Sequence, residues 1–196
     1  FADIYNVLVF EGKQVMLEDA LSNQSPLRQY KADEGMLHEQ ERDIFKIWRG
    51  HGVNLMIAGI ENQTRPDKDM PFRVIGYDGA MYRSQLLKTK EKVVNGQKKK
   101  VAIKERYPVV TIVLYFGKER WDYPKNLIEC FEPPLAEDEI TEVLKEYIQD
   151  YRVHVFDIPR LTKEQVRLFR SDFRIVADYF ANVYTHEGEC NTSLHQ

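Results

Sequence analysis

The chain is poor in cysteine. Its 196 residues include only two, Cys130 and Cys190, which lie far apart with no CxxC partner. This scarcity argues against a disulfide framework or a zinc cage. We therefore expect a reducing, cytoplasmic setting.

Long hydrophobic runs and an excess of one charge sign are also lacking. Every uninterrupted apolar run falls far short of the roughly 20 residues that a bilayer helix needs, so we expect no membrane span. Lys and Arg number 28 against 31 Asp and Glu, a formal net charge of −3. Because the whole chain is not cationic, any nucleic-acid binding must come from a local basic patch.

The composition that is present fits one folded domain. Hydrophobic residues make up 43% and aromatic residues 12%, while only eight residues are proline, which supplies a sizeable core and argues against disorder. We expect one domain over residues 1–185 and a polar, frayed tail over 186–196. The first residue is Phe1 rather than Met, so we expect a few residues to precede it.

Hydrophobic periodicity predicts the elements of the first half of the chain. They are a helix over 1–10, an irregular connection over 17–40, a β-hairpin from the apolar runs 44–48 and 55–60, and a helix after residue 69. The β-branched Val7 and Val9 would also suit a strand. Asp69 is the expected N-cap of the last helix, with Pro71 in its first turn.

The second half predicts a central sheet with helices on both faces. Its elements are an exposed lysine-rich loop or hairpin over 88–106, a buried strand over 109–116, an acidic helix over 136–149, a strand over 153–158 and a long amphipathic helix. Thr162 and Gln165 form a capping box at the start of that helix. The order of elements indicates an α/β domain with a mixed sheet.

Three polar side chains are expected to meet at one end of the hairpin. A turn at Gly52 pairs positions whose numbers add to 104, which places Asp43 opposite Glu61. Two facing carboxylates repel each other unless a cation lies between them. Gln63 shares the face of Glu61 because side chains alternate along a strand. Such oxygen ligands suit Mg²⁺ and a phosphate group.

Both charged features of this sequence also have a plain structural interpretation. Acidic residues at strand ends are commonly just solvated, and a shift of one residue in register would turn Asp43 to the other face. Lysines such as Lys98, Lys99 and Lys100 commonly serve solubility, although in an acidic chain they are also a candidate contact for DNA phosphates.

Several short motifs resemble one known family. They are Arg42-Asp43, Gly59-Ile60-Glu61-Asn62-Gln63-Thr64, Met70-Pro71-Phe72-Arg73-Val74, Tyr77-Asp78, the run from Tyr107 to Gly117, and Trp121-Asp122. In order and spacing they resemble the Rpn family of bacterial recombination-promoting nucleases and YhgA-like transposases, which belongs to the PD-(D/E)XK nuclease superfamily. The likeness covers roughly residues 1–184.

The resemblance implies a restriction-endonuclease-like core and a function. Asp43 and Glu61 match the superfamily's acids, which bind Mg²⁺ or Mn²⁺, and Gln63 stands where many relatives have lysine, as is usual in this family. Asp3 matches an acid that some relatives bring to the metal through a water. The implied activity is metal-dependent hydrolysis of DNA phosphodiester bonds in the bacterial cytoplasm, linked to recombination or mobile elements.

Under this interpretation other residues would hold the DNA. Arg73 could bind a phosphate, or it could form a structural salt bridge with a nearby acid. Double-strand cutting would usually need two active sites, so a homodimer is a possible assembly. Two other functions stay open: an inactive nuclease fold that binds DNA or protein, and a regulatory protein that recognises a small nucleotide.

Overall fold

A computed structural model gives the fold of most of the chain. It describes residues 1–23, 29–33, 36–40, 44–50, 53–94, 97–131 and 139–192. The helices of these residues are Ala2–Leu8 (α1), Met70–Leu87 (α2), Glu139–Lys145 (α3), Lys163–Leu168 (α4) and Phe173–Thr192 (α5). The strands are Leu21–Asn23 (β1), Gln29–Asp33 (β2), Met36–Gln40 (β3), Ile44–Gly50 (β4), Val53–Gln63 (β5), Thr89–Val94 (β6), Gln97–Ala102 (β7), Val109–Tyr115 (β8) and His154–Asp157 (β9).

Five strands form a central mixed sheet in the order β1-β4-β5-β8-β9. The pairs β1/β4 and β4/β5 are antiparallel, whereas β5/β8 and β8/β9 are parallel. Strands β2 and β3, like β6 and β7, form separate two-stranded ribbons. The connection from β5 to its parallel neighbour β8 consists of α2 followed by the β6-β7 ribbon.

Helices cover both faces of this sheet, as predicted. Met56, Ala58 and Ile60 of β5 pack in one cluster with α1 and α5, whereas the alternate residue Ile57 packs with Met81 of α2. Burying an Ile or Met side chain in this way contributes about 1.5–3 kcal/mol. The resulting mixed α/β fold is compatible with a nuclease-like core.

The hairpin of β4 and β5 has the predicted register in its described part. Ile44 pairs with Ile60 and Trp48 with Met56, so facing numbers add to 104, and an irregularity between Trp48 and Arg49 shifts the pairing beside the turn. Asp43 and the turn residues His51 and Gly52 lie outside the described residues.

The irregular connection expected over 17–40 is wrong in part, because it contains three strands. β1 pairs with β4 at the edge of the central sheet, and β2 pairs with β3. A strand of three residues is too short to show a period of two, so its sequence carries no recognisable pattern.

The expected long carboxy-terminal helix is interrupted. The capping box of Thr162 and Gln165 forms as predicted, but the helix that it opens is the short α4. The helical conformation then ends. In the segment before α5, Asp3 Oδ2 accepts hydrogen bonds from the N–H groups of Arg170 (2.9 Å) and Ser171 (2.8 Å). The second helix, α5, continues to Thr192, beyond the expected start of the tail at residue 186.

Other expectations agree with the structure. The first helix is α1, the helix after Asp69 is α2, and the lysine-rich segment contains the exposed β6-β7 hairpin. In the described residues no helix has the length and apolar character that a bilayer crossing requires.

Candidate active site

Glu61 is a carboxylate inside the fold, near the end of the second strand of the hairpin. It pairs with Val113 of β8, and only 2% of its surface is exposed. Since side chains alternate along β5, Glu61 lies on the same face as Ile57, which is the face that α2 covers. The carbonyl of Gln63 accepts a hydrogen bond from the N–H of Phe116 (2.8 Å), so the strand is fixed beyond Glu61.

Two side chains bind the same oxygen of this carboxylate. Arg73, from the first turn of α2, donates from Nη2 to Glu61 Oε1 (2.5 Å), and Gln63 donates from Nε2 to that atom (3.0 Å). The Arg73 guanidinium also donates to Asp67 Oδ2 (2.8 Å) and to the hydroxyl of Tyr77 (3.2 Å). One third of the Arg73 side chain is exposed, so this cluster opens to solvent at the guanidinium.

The charge of Arg73 is fixed by these neighbours. Partial burial alone would lower the pKa of Arg73, but its hydrogen bonds to Asp67 and Tyr77 and the negative charge of Glu61 outweigh that effect. The pKa of Arg73 therefore lies above its ordinary value. The Arg73 guanidinium therefore stays positively charged at the solvent-exposed edge of the cluster.

The loop between β5 and α2 orients Arg73. Asp67 accepts a hydrogen bond from the N–H of Asp69 at its Oδ1 (2.9 Å) while its other oxygen binds Arg73. Asp69 occupies the predicted N-cap position, although its side chain makes no capping hydrogen bond. The sequence did not predict that Asp67 binds Arg73. Its signal in the sequence is weak, an acid in a loop six residues before an arginine.

A second buried acid lies farther along the same helix. Asp78 is 2% exposed and accepts hydrogen bonds from the hydroxyl groups of Thr111 on β8 (2.5 Å) and of Tyr151, which precedes β9. The sequence motif contains Asp78, but without the fold nothing indicates its partners. These hydrogen bonds connect α2 to β8 and to the segment that precedes β9.

Asp3 lies apart from the Glu61 cluster. It belongs to α1, which packs against the sheet face opposite α2. Its Oδ2 accepts from the backbone before α5 and from the hydroxyl of Ser171 (2.7 Å). The structure therefore does not bring Asp3 together with Glu61.

The lysines named from the sequence are also distant from Glu61. Lys98, Lys99 and Lys100 lie on β7, in the ribbon that follows the carboxy-terminal end of α2. From Arg73 to Leu87 the helix spans 14 residues, which corresponds to roughly 20 Å.

The donor atoms at the Glu61 cluster are of the kind that a hard divalent cation binds. Carboxylate and amide oxygens from Glu61, Asp67 and Gln63 suit Mg²⁺ or Mn²⁺. In the part of the chain that the structure describes, no three His, Cys, Asp or Glu side chains are grouped closely enough to hold a metal ion. The ligand type thus fits the cation, and a further acid such as Asp43 would be needed to complete the site.

The fold and this cluster define a mixed α/β protein with a buried acid and an arginine at the end of a central strand. Residues 34–189 match the family described as "Putative transposase, YhgA-like". Since the match covers most of the chain, the chain belongs to this family, and the description connects it with a role related to mobile DNA elements. No curated protein and no solved structure matches the chain.

Proposed function

We propose that the chain is a Mg²⁺-dependent DNA endonuclease whose active site consists of Asp43, Glu61, Gln63 and Arg73. The observation that supports this most directly is the buried Glu61 carboxylate, which shares one oxygen with an amide and with a cationic guanidinium at an open edge. A carboxylate for a cation and a guanidinium for a phosphate are the groups that metal-assisted phosphodiester hydrolysis needs.

The register of the described ladder supports the role proposed for Asp43. Ile44 faces Ile60, so the next pair would be Asp43 and Glu61. Phe45 packs in one cluster with Ile57, which shares its face with Glu61. By alternation along β4, Asp43 would share that face as well.

Each residue then has a distinct task. Asp43 and Glu61 would hold Mg²⁺, and the chemistry supplied by the bound ion is a lower pKa of the attacking water and neutralisation of charge on the phosphate. Gln63 would orient that water or a phosphate oxygen by hydrogen bonding, because an amide carries no charge. Asp67 would keep the guanidinium of Arg73 in place while its exposed edge binds the phosphate.

Arg73 also compensates the charge of Glu61 when no cation is bound. It donates to Oε1 of the carboxylate that would hold the cation. With Glu61 engaged by a cation, Arg73 would be less tightly held there and its guanidinium could turn toward the substrate phosphate. Asp67 and Tyr77 give the guanidinium partners that can stay in place during this shift.

Plasmid cleavage tests this proposal. Purified protein is incubated with supercoiled plasmid in Mg²⁺, in Mn²⁺ and in EDTA, together with the variants Asp43→Asn and Glu61→Gln. A matched control is Glu142→Gln, which neutralises an exposed acid on α3. We expect divalent-dependent nicking in the parent and the control, and a loss of about 10²-fold or more in the two site variants. Cleavage that survives both substitutions would show that the site lies elsewhere.

The ion pair also favours a second candidate function. Because Arg73 already pairs with Oε1 of Glu61 and with Asp67, these charges compensate one another in part without a metal. A DNA-binding or protein-binding module that has kept the fold would show this arrangement. Tight DNA binding with no cleavage in either metal would support the module and contradict the endonuclease.

A further inference from the structure

We propose that one face of the β6-β7 hairpin, formed by Lys90, Lys92 and Lys99 and called here the basic face, binds the phosphate backbone of duplex DNA. This inference rests on the proposed function in one respect, namely that the substrate is DNA. It concerns how the duplex is held at a distance from Glu61 and does not depend on the chemistry there.

The strand register separates the lysines into two faces. Lys92 pairs with Lys99 and Lys90 with Val101, so the three lysines of the basic face project to one side of the ribbon. The opposite face carries Lys98 and Lys100.

The two faces differ in charge. On the opposite face Glu91 pairs with Lys100 and forms an ion pair with Lys98 (3.8 Å). The basic face has three positive charges and no acid among its described positions. The opposite face has two lysines and one acid, which gives it a net charge of +1. The run Lys98-Lys99-Lys100, which looks uniform in the sequence, is therefore divided in the structure.

The pair of Lys92 and Lys99 costs stability in the free protein. Directly opposed side chains of an antiparallel pair have Cβ atoms about 4.5–5.5 Å apart, and like charges at that distance destabilise the hairpin. Both lysines are exposed, so packing does not account for the pair. Adjacent DNA phosphates would relieve the repulsion and release bound counterions.

The basic face continues into a groove at the base of the hairpin. A cavity of about 380 Å³ lies there, and Arg49 of β4, Lys88 and Lys90 contribute to its walls together with one acid, Glu105. Three cationic residues against one acid extend the positive surface from the ribbon onto the central sheet.

The location of the basic face fits a duplex that also reaches Glu61. Arg73 and the start of β6 are separated by roughly 20 Å along α2. At 3.4 Å per base pair that distance is about six base pairs, or roughly half a helical turn. A two-stranded ribbon also has dimensions that the major groove admits. Charge, shape and spacing therefore favour duplex DNA as the occupant.

The test is the salt dependence of DNA binding by the full chain. Fluorescence anisotropy is measured with a labelled duplex of about two helical turns in EDTA, which prevents cleavage, between about 0.05 and 0.2 M salt. The variant Lys92→Gln/Lys99→Gln is compared with the matched control Lys98→Gln/Lys100→Gln. Both remove two positive charges from the same strand pair, so they alter the net charge equally.

We expect the two double variants to differ. Loss of two phosphate contacts should reduce the slope of log K against log salt by about 1.8 and should weaken binding at least about tenfold at 0.1 M salt, while the control keeps the slope of the parent. Thermal unfolding should show no loss of stability in Lys92→Gln/Lys99→Gln, because the substitution removes a repulsion.

Two results would overturn the inference. The first is an equal loss of DNA binding in both double variants. The second is no loss of DNA binding in Lys92→Gln/Lys99→Gln, and a loss of binding to anionic lipid vesicles in that variant would then identify a membrane surface as the occupant. Failure here is distinguishable from failure of the proposed function. Plasmid nicking that depends on Glu61 can persist when the hairpin has no role, and face-specific binding can persist when no nicking occurs.

Discussion

At the scale of single residues, the partnership of Glu61 and Arg73 dominates the site. A carboxylate that is almost fully buried needs a charged or hydrogen-bonding partner, and Arg73 supplies both. Solvent screens the partly exposed Arg73, and desolvation of the buried Glu61 offsets the attraction, so the pair adds little net stability. Under the proposed function, Arg73 would place a permanent cation where a substrate phosphate approaches.

Replacement of Arg73 should separate DNA cleavage from metal binding. In Arg73→Ala we expect cleavage to fall about 10²-fold, because a phosphate ligand is lost. Mn²⁺ affinity without DNA, measured by titration calorimetry, should rise or stay equal, because a cation competing for Glu61 is gone. Arg83→Ala, at an exposed position of the same helix, is the matched control. Unchanged cleavage, or a loss of Mn²⁺ binding, would contradict the role given to Arg73.

The sequence could indicate some of these residues and not others. Glu61 and Gln63 follow from alternation along a strand, and Arg73 from its place in the first turn of a helix. Asp67 could not be predicted, because its contact depends on how the loop folds back. The partners of Asp3 lie more than 160 residues away in the chain, so spacing carries no information about them.

At the scale of elements, α2 positions the site and the Asp78 network positions α2. Met70 and Val74 are buried against Val113 and Tyr115 of β8, which fixes the first turns of the helix over the sheet. Asp78 adds a polar attachment one turn farther on. Arg73 lies between these anchors and therefore has little freedom of placement.

Removal of the Asp78 carboxylate should loosen this helix. Asp78→Ala leaves the buried hydroxyl of Thr111 and the hydroxyl of Tyr151 without their acceptor, so we expect a loss of about 2–4 kcal/mol in the free energy of unfolding. Urea unfolding followed by circular dichroism measures it. Asp78→Asn keeps an acceptor oxygen and should lose less. A variant Asp78→Ala as stable as the parent would show that packing alone fixes α2.

Element prediction succeeded where the local pattern was long and failed where it was short. The β4-β5 hairpin and the buried strand β8 have clear apolar runs bounded by glycine, and both form as predicted. β1 has only three residues, and the break between α4 and α5 depends on a carboxylate from α1. Contacts that come from distant parts of the chain decide such features.

At the scale of the whole molecule, the chain has a net charge close to zero, but several of its positive side chains are concentrated on one part of the surface. The net charge of −3 gives no reason to expect DNA binding. The ribbon of β6 and β7, however, concentrates lysines on a part of the surface that follows the helix leading away from Glu61. The proposed endonuclease would thus hold its substrate at one end of α2 and cut it at the other.

The most direct test of the central claim is a crystal structure of the protein soaked in Mn²⁺, with the ion located by its anomalous scattering. The account predicts an anomalous peak coordinated by Asp43 and Glu61, with Arg73 displaced from Glu61 Oε1. A peak at another site, or side chains of residues 43 and 61 on opposite faces of the sheet, would contradict it.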